Sequence, residues 1–241
     1  MKGAFIWVVL ILALGISFAI YTYLLPDFVR KGGPLVIGLI MLSILLFTFV
    51  FERLMTLGKA AGKRPMSLFI SDVKKALAAG DMTKASKLCA DQRGSAANVL
   101  RAGFEAYASA SKAGFGQERK MVETQRALEE ATALETPLLE RNLIALSTIA
   151  SISTMVGLLG TVIGMIRSFH AMGQGAAPDA VQLALGISEA LINTAGGISV
   201  GILGIVLYNV FVTRVDLFNY QVEESSQEVM QMLTEHSLEN R

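Results

Sequence analysis

The sequence predicts an all-α, polytopic membrane protein whose long helices extend into a cytoplasmic helical domain. Of its 241 residues, 53% are hydrophobic and only 17% are charged, whereas roughly a quarter of the residues in soluble domains are charged. A helix that crosses the bilayer needs about 20 mostly apolar residues, and the chain has four apolar stretches of about that length or longer. These stretches are residues 4–25, 35–51, 143–166 and 181–213.

The first apolar stretch, residues 4–25, has two interpretations. Lys2 and the sequence Ser17-Phe18-Ala19 resemble the charged start and a weak cleavage site of a signal peptide. The apolar run is longer than the roughly 7–15 residues usual in signal peptides, which favours a retained transmembrane helix. We therefore expect an additional N-terminal helix here.

The distribution of basic residues predicts the orientation of the chain. Lys and Arg concentrate on the cytoplasmic side of membrane helices, and several flank the segment 52–141: Arg53, Lys59, Lys63, Arg64 and Arg141. We expect this segment and both termini to be cytoplasmic, and the loops 26–33 and 167–180 to face outward. Arg30 and Lys31 in the first outer loop run against this rule but are outnumbered.

Charge and side-chain chemistry exclude several classes of function. Segment 52–141 has 15 Lys and Arg against 11 Asp and Glu, and segment 214–241 has two against six, so neither carries a dense block of like charge that would bind nucleic acid. The single cysteine, Cys89, cannot form an internal disulfide and suits a reducing compartment. His170 and His236 belong to no metal-binding cluster, and the sequence has neither a phosphate-binding loop nor a nucleophile–base pair. We expect no metal, no cofactor and no enzymatic activity.

The cytoplasmic segment reads as short amphipathic helices. Residues 67–80 have a helical apolar stripe, with Ser67 as a candidate N-cap and Gly80 as a stop. Asp81 is the expected N-cap of the next helix, and a third is expected over residues 95–109. The apolar positions expected to face the core are Phe69, Ile70, Val73, Leu77, Met82, Ala85, Leu88 and Cys89.

Two very long helices are also expected. From Gln117 a helical pattern runs without a clear stop to Ile166, interrupted only by Pro137, which predicts one long helix with a kink there. The fourth apolar stretch continues past its inner end with heptad-like spacing, in which Ser225 fills one apolar slot. The apolar heptad positions are Val215, Phe218, Val222, Val229 and Met232.

The third and fourth stretches each carry a line of small or polar residues. On the third, Ser147, Ser151, Thr154, Leu158 and Thr161 step by four and three, which places them on one helical face. Six glycines, Gly157, Gly160 and Gly164 on the third stretch and Gly197, Gly201 and Gly204 on the fourth, predict close helix packing. The hydroxyls either bond back to their own helix or line a functional face, and for Thr161 and Thr194 both alternatives stay open.

Glu189 is the only carboxylate in any of the four apolar stretches. An acid at this depth is costly, and an intramembrane acid indicates a functional site by default. It either handles protons or is a structural anchor bonded to a neighbouring helix or subunit, with Asn193 one turn further on as a candidate contact.

Two core motifs resemble the MotA/TolQ/ExbB family of proton-channel proteins, and the ExbB/TolQ branch most closely. They are GLLGTVIGMIRSF (157–169) and GISEALINTAGGISVGILGIVLYNVF (186–211), in order along the chain. The likeness extends over about residues 33–233 and includes FERL after the second stretch. Relatives often carry prolines where this chain has Thr154, Leu185 and Leu203.

The resemblance implies a ring of copies, typically five, in the bacterial inner membrane. The ring would surround the transmembrane helices of an ExbD/TolR-like single-helix partner, which brings a proton-binding aspartate, and a TonB/TolA-like protein would be a further partner. By residue match, Thr161 and Thr194 occupy the pore-lining threonine positions. Glu189 occupies the membrane glutamate position, which contributes to ring integrity and to the ion path.

The predicted organisation follows from these observations together. It comprises an extra N-terminal transmembrane helix and outer loop (1–33), a transmembrane helix (34–51), a cytoplasmic helical domain (52–141), a pore-lining transmembrane helix (142–166), a periplasmic loop (167–180), a second pore-lining transmembrane helix (181–213) and a cytoplasmic helical tail (214–241). The expected function is that of a ring subunit of a proton-driven motor that energises an outer-membrane process such as TonB-dependent uptake. Tol-Pal-type envelope maintenance, a gliding motor and a non-conducting membrane scaffold are the alternatives. The choice between protons and sodium stays open at this stage.

Overall fold

The fold is all-α, as predicted. The computed structural model describes residues 2–173 and 180–239, and that part of the chain contains no strand. Its elements are α1 (Lys2–Ala19), a π-helical turn (Ile20–Leu24), α2 (Asp27–Arg30), α3 (Leu35–Ala60), α4 (Met66–Ala78), α5 (Met82–Gln92), α6 (Ser95–Lys112), α7 (Gln117–Glu140), α8 (Leu143–Gly173) and α9 (Ala180–Glu239). Of the predicted outer loop 167–180, residues 167–173 form the end of α8, and residues 174–179 lie outside the described residues.

The described part of the chain is that of a membrane protein with several crossings. Three helical segments, 35–60, 117–173 and 180–235, are long and apolar enough to cross a bilayer, and a shorter apolar helical segment covers 11–24. Large apolar side chains on these segments lie exposed, as on a surface that lipid or a partner covers. Examples are Phe47, Met155, Leu158, Ile166, Leu191 and Ile202.

The chain divides into two compact units. One consists of residues 1–52 and 142–210 and contains the apolar stretches; the other consists of residues 53–141 and 211–241. In the second unit α4, α5 and α6 pack in sequence, and the buried residues of α9 join their core.

The amphipathic patterns of the second unit are confirmed. All eight apolar positions predicted for α4 and α5 belong to its core or pack against it. Along α9, Val215, Val222 and Val229 are buried, and Ser225 is buried in the polar slot with its hydroxyl bonded to the carbonyl of Gln221. Asp81 caps α5 by accepting a hydrogen bond from the backbone N–H of Lys84 at 2.8 Å.

Cys89 is a core residue of this unit. Its side chain is buried on α5, and burial raises the pKa of the thiol to about 12. The thiolate is the reactive form of cysteine, so the native thiol is unreactive near neutral pH.

Two predictions in this region were wrong. Ser67 does not cap α4, because the helix begins at Met66 and Pro65 occupies the N-cap position. The long helix from Gln117 to Ile166 is not continuous. Pro137 stays inside α7, and the interruption falls at residues 141–142, where Asn142 adopts a φ of 63°. Asparagine tolerates this left-handed conformation better than most residues, and its amide donates a hydrogen bond to Glu52.

Gln92 fastens the end of α5 to the turn that follows α3. Its amide nitrogen donates to the carbonyl of Arg64 at 2.7 Å, and its amide oxygen accepts from the N–H of Arg64 at 3.2 Å. Its own backbone carbonyl accepts from Lys63 at 3.0 Å. Gly62, with a φ of 79°, lies so close that a Cβ there would be 2.7 Å from the Gln92 amide nitrogen. This buried amide replaces the backbone partners that the turn lacks.

Gln92→Leu should loosen the contact between the end of α5 and the turn that follows α3. It removes the two hydrogen bonds to the backbone of Arg64, each with a net worth of about 0.5–1.5 kcal/mol, and should raise labelling of Cys89 in the native protein by roughly five- to a hundredfold. Because Cys89 is the only cysteine in the sequence, the rate of thiol alkylation reports a single site.

The matched control is Gln125→Leu, because Gln125 lies on an exposed surface and its amide donates to Glu129 one turn away. That variant should label like the wild type. Equal alkylation rates of Cys89 in all three proteins would show that Gln92 does not hold the end of α5 to the turn after α3.

Candidate functional site

The site is built on a close contact between α8 and α9. A Cβ on Gly157 would lie 3.0 Å from the Cα of Gly197, and one on Gly197 would lie 2.5 Å from the carbonyl of Ser153. At Gly164 the obstacle is the Gly186 carbonyl, at 2.7 Å. The backbones of the two helices therefore touch, which only glycine permits at these positions.

The remaining predicted glycines meet side chains. A Cβ on Gly160 would overlap Asn193, and one on Gly201 would overlap the hydroxyl of Thr154. On Gly204 it would lie 2.7 Å from the Cβ of Ala150. All six glycines therefore lie on the facing surfaces of α8 and α9.

The hydroxyl line of α8 lies along an open face of the protomer. Ser151, Thr154 and Leu158 are exposed, and Ser147 and Thr161 are half-buried. Each hydroxyl bonds back to its own helix; that of Thr161, for example, donates to the carbonyl of Leu158 at 2.5 Å. Such local bonds satisfy the hydroxyl proton and leave oxygen lone pairs directed outward.

Thr194 behaves differently from the hydroxyls of α8. Its hydroxyl donates across the helix pair to the carbonyl of Gly157 at 3.2 Å, and the residue is half-buried. Gly157 lies one turn before Thr161 on α8. The contact thus places Thr194 beside the turn of α8 that leads to Thr161.

Glu189 is paired with Arg167. The carboxylate is buried, with the residue 8% exposed, and its Oε1 accepts a hydrogen bond from Nη1 of Arg167 at 2.5 Å. The Arg167 side chain is 54% exposed. The pair joins α9 to the end of α8 within one protomer, so the acid is anchored to a neighbouring helix through an arginine and not through Asn193.

Asn193 is fully buried beneath the turn that precedes α3. Its amide nitrogen donates to the carbonyl of Gly32 at 2.7 Å and to the backbone carbonyl of Glu189 at 3.0 Å. The next residue, Gly33, has a φ of 73°, and a Cβ there would lie 2.5 Å from Oε1 of Glu189. This turn, residues 31–34, therefore lies directly on the carboxylate.

The sequence alone indicates that Arg167, Gly32 and Gly33 are unusual, but it does not predict that they meet at Glu189. A Gly-Gly-Pro sequence before a helix predicts a tight turn, and Arg167 is the only Lys or Arg between the third and fourth stretches. Neither pattern says that both would meet at Glu189, because Arg167 lies on another helix and Gly32 is 161 positions away from its partner Asn193. Among the described residues no group of three or more His, Cys, Asp or Glu could hold a metal ion.

Gly160→Ala should weaken the pairing of α8 and α9. The added methyl group overlaps Asn193, and overpacking of this kind typically costs about 1–3 kcal/mol. We expect an apparent melting temperature lower by about 2–10 °C in the same detergent.

Gly38→Ala is the matched control, because Gly38 lies on the membrane helix α3 and a Cβ added there would meet nothing within 4 Å. It should melt at or above the wild-type temperature. Equal destabilisation by both substitutions would show that the α8–α9 contact has no special sensitivity.

The chain is similar in sequence to several known proteins. The sequence profile of the MotA/TolQ/ExbB proton channel family matches residues 92–224. The biopolymer transport protein ExbB-like 1 of Synechocystis sp. is 34% identical over 195 residues, which cover 79% of this chain and 71% of that protein. ExbB-like 3 of the same organism is 44% identical over 91 residues, 37% of this chain and 43% of that protein.

A third relative is the Tol-Pal system protein TolQ of Pseudomonas aeruginosa. It is 34% identical over 120 residues, which cover 49% of this chain and 52% of TolQ. The match thus spans about half the length of two of these three relatives and more than two thirds of the other. The resemblance of the two core helices is confirmed: this chain belongs to the MotA/TolQ/ExbB proton channel family.

Proposed function

We propose that the chain is a ring subunit, present in five copies, of a proton-driven motor in the bacterial inner membrane. Both termini and the segment 52–141 are cytoplasmic in this proposal. The motor uses the proton motive force to energise an outer-membrane process such as TonB-dependent uptake. Membership of a proton-channel family supports the ion-conducting part of the proposal.

The hydroxyl line of α8 is the observation that carries the proposal. It runs along an open face of a membrane helix, and the described residues of that face include no acid. Polar side chains in membrane helices usually face a bundle interior or a water-filled cavity, because lipid leaves them unsolvated. A central pore formed by several copies of α8 and α9 gives this line such a cavity.

In this proposal Thr161 and Thr194 are the two main pore-lining residues. Thr161 lies on the hydroxyl line, and Thr194 bonds to the turn of α8 next to it. Their hydroxyl oxygens offer hydrogen-bond acceptors to a group that enters the pore. Neither side chain titrates near neutral pH, so the proton itself must be carried by another group.

That group is supplied by a partner in our proposal. Glu189 is the only acid in the four apolar stretches, and it is occupied by Arg167. An ExbD/TolR-like protein with one transmembrane helix would bring an aspartate into the pore, where it takes up and releases protons. A potential of about 150 mV supplies roughly 3.5 kcal per mole of protons, enough to bias a movement of the partner at each step. A TonB/TolA-like protein would transmit that movement.

The names of the relatives support two candidates for the energised process, which are uptake and envelope maintenance. ExbB-named proteins and TolQ match the chain at similar identity, so Tol-Pal-type envelope maintenance is the leading alternative to uptake, ahead of a gliding motor. A non-conducting scaffold is a different class of function. It predicts long helices that bind other proteins but no proton flux.

Thr161→Val and Thr194→Val should each abolish or strongly reduce proton flux while the ring still assembles. Valine keeps the shape but removes the hydroxyl, and a membrane hydrogen bond is worth about 1–2 kcal/mol, so we expect a loss of about five- to thirtyfold. The measurement is proton uptake by vesicles containing the complex purified from the membranes of its own cells, with native mass spectrometry of the same sample.

Thr161→Ser and Thr194→Ser keep the hydroxyl and should retain flux. Wild-type flux in both valine variants would refute the pore positions. A purified complex that lacks an aspartate-bearing single-helix protein and conducts no protons would refute the motor and favour the scaffold.

A further inference from the structure

Five residues form a continuous set of contacts between three separate segments of the first unit. The set consists of Gly32 and Gly33 before α3, Arg167 on α8, and Glu189 and Asn193 on α9. We infer that these residues form a latch that excludes Glu189 from the proton path. In this latch Arg167 is the fixed counter-ion of Glu189, and Asn193 is the positioning residue that holds the Gly32–Gly33 turn over the pair. The consequence for conduction rests on the function proposed above; the latch itself does not.

The ion pair explains how a carboxylate is tolerated at this depth. Arg167 lies just past the apolar stretch 143–166, where its long side chain reaches back to Glu189 while much of it stays exposed. Removing Arg167 would leave the buried Glu189 carboxylate without compensation, which is strongly destabilising, whereas removing Glu189 would leave a guanidinium that is already 54% exposed. The loss of Arg167 alone is therefore worse than the loss of both residues.

The same pair makes Glu189 unsuitable as a proton carrier. A carrier must alternate between its charged and neutral forms at each cycle. Arginine does not release its proton in proteins, so each protonation of Glu189 would break the pair and leave the guanidinium without its carboxylate. A stationary charge pair needs no such cycle.

The turn above the carboxylate closes the site from the side of α3. Gly33 leaves no room for a side chain between its backbone and Oε1 of Glu189. At Gly32 a Cβ would lie 2.6 Å from a methyl group of Val36 and 2.7 Å from one of Ile192. The backbone of the turn thus closes the α3 side of Oε1 to a water molecule or an exchanging proton donor.

Asn193 fixes this turn in place. Its side chain is 0% exposed, and its amide nitrogen bridges the turn and α9, while its amide oxygen has no partner among the described residues. Gly160 on α8 provides the space for it. One amide therefore ties the turn before α3 to the point where α8 and α9 meet.

A thermal double-mutant cycle tests the pair without reference to function. The proteins are Arg167→Gln, Glu189→Gln and the double variant, each purified in the same detergent. We expect Arg167→Gln to lower the apparent melting temperature by roughly 3–6 °C, Glu189→Gln to lower it by less, and the double variant to lie closer to the wild type than Arg167→Gln. Additive shifts would overturn the ion pair, whether or not the wild type conducts protons.

Proton flux through the complex then tests the exclusion of Glu189 from the path. We expect each single variant to lose flux by roughly tenfold and the double variant to recover to within about threefold of the wild type. Arg167→Lys, which keeps the charge, should retain more flux than Arg167→Gln. If Glu189→Gln stays inactive in the Arg167→Gln background although the thermal cycle shows coupling, Glu189 carries protons and the inference is wrong.

Asn193→Ala completes the test of the latch. It removes the bond to Gly32 and should lower the melting temperature by about 2–6 °C. The control is Ser199→Ala, because Ser199 is exposed on the same helix and bonds only to the carbonyl of Ala195; it should melt like the wild type. Equal melting of Asn193→Ala and the wild type would overturn the role of Asn193. Absence of flux in the wild type would instead refute the proposed function and leave the thermal results to decide the latch.

Discussion

The contact between the backbones of α8 and α9 is the constraint on which the first unit depends. Lipid provides no hydrophobic force that would press two apolar helices together, so their attraction comes from close packing and hydrogen bonds. Gly157 and Gly197 bring the helix axes near enough for side chains on one helix to bond to the backbone of the other. The bond from Thr194 to the Gly157 carbonyl exists only because of this approach. With alanine at either glycine, the helices would separate and that bond would lengthen.

The polar groups of this unit fall into two sets with different physical roles. Asn193 and Glu189 point into the protein and have specific partners, so they fix the relative positions of helices. The hydroxyls of Ser151 and Thr154 on α8 each donate to a carbonyl of their own helix, so their hydrogen bonds join no two helices. The proposed pore lies on that face because its hydroxyls leave oxygen lone pairs directed away from their own helix.

Local patterns predicted most of the fold, and distant contacts accounted for most of what was missed. The apolar stripes of α4 and α5 and the cap at Asp81 follow from helical periodicity and from hydrogen bonds within one turn, so the sequence contains all the information needed. The sequence predicts a kink at Pro137, because a proline inside a helix is a stronger local signal than an asparagine, and the structure has the break at Asn142 instead. At the site, the glycines and threonines stood out by spacing. Arg167 did not, since its role depends on where a residue on another helix lies.

The break at Asn142 also has a mechanical consequence. A continuous helix is stiff in torsion because every turn is joined to the next by backbone hydrogen bonds, and the left-handed residue at position 142 interrupts that ladder between α7 and α8. By contrast, α9 is helical without interruption from Ala180 to Glu239. A twist applied to the membrane part of α8 is therefore relaxed within two residues, whereas a twist applied to α9 passes along the whole helix. Of the two long helices that carry the glycine contact, only α9 therefore continues without a break, whereas α8 is separated from α7 at residues 141–142.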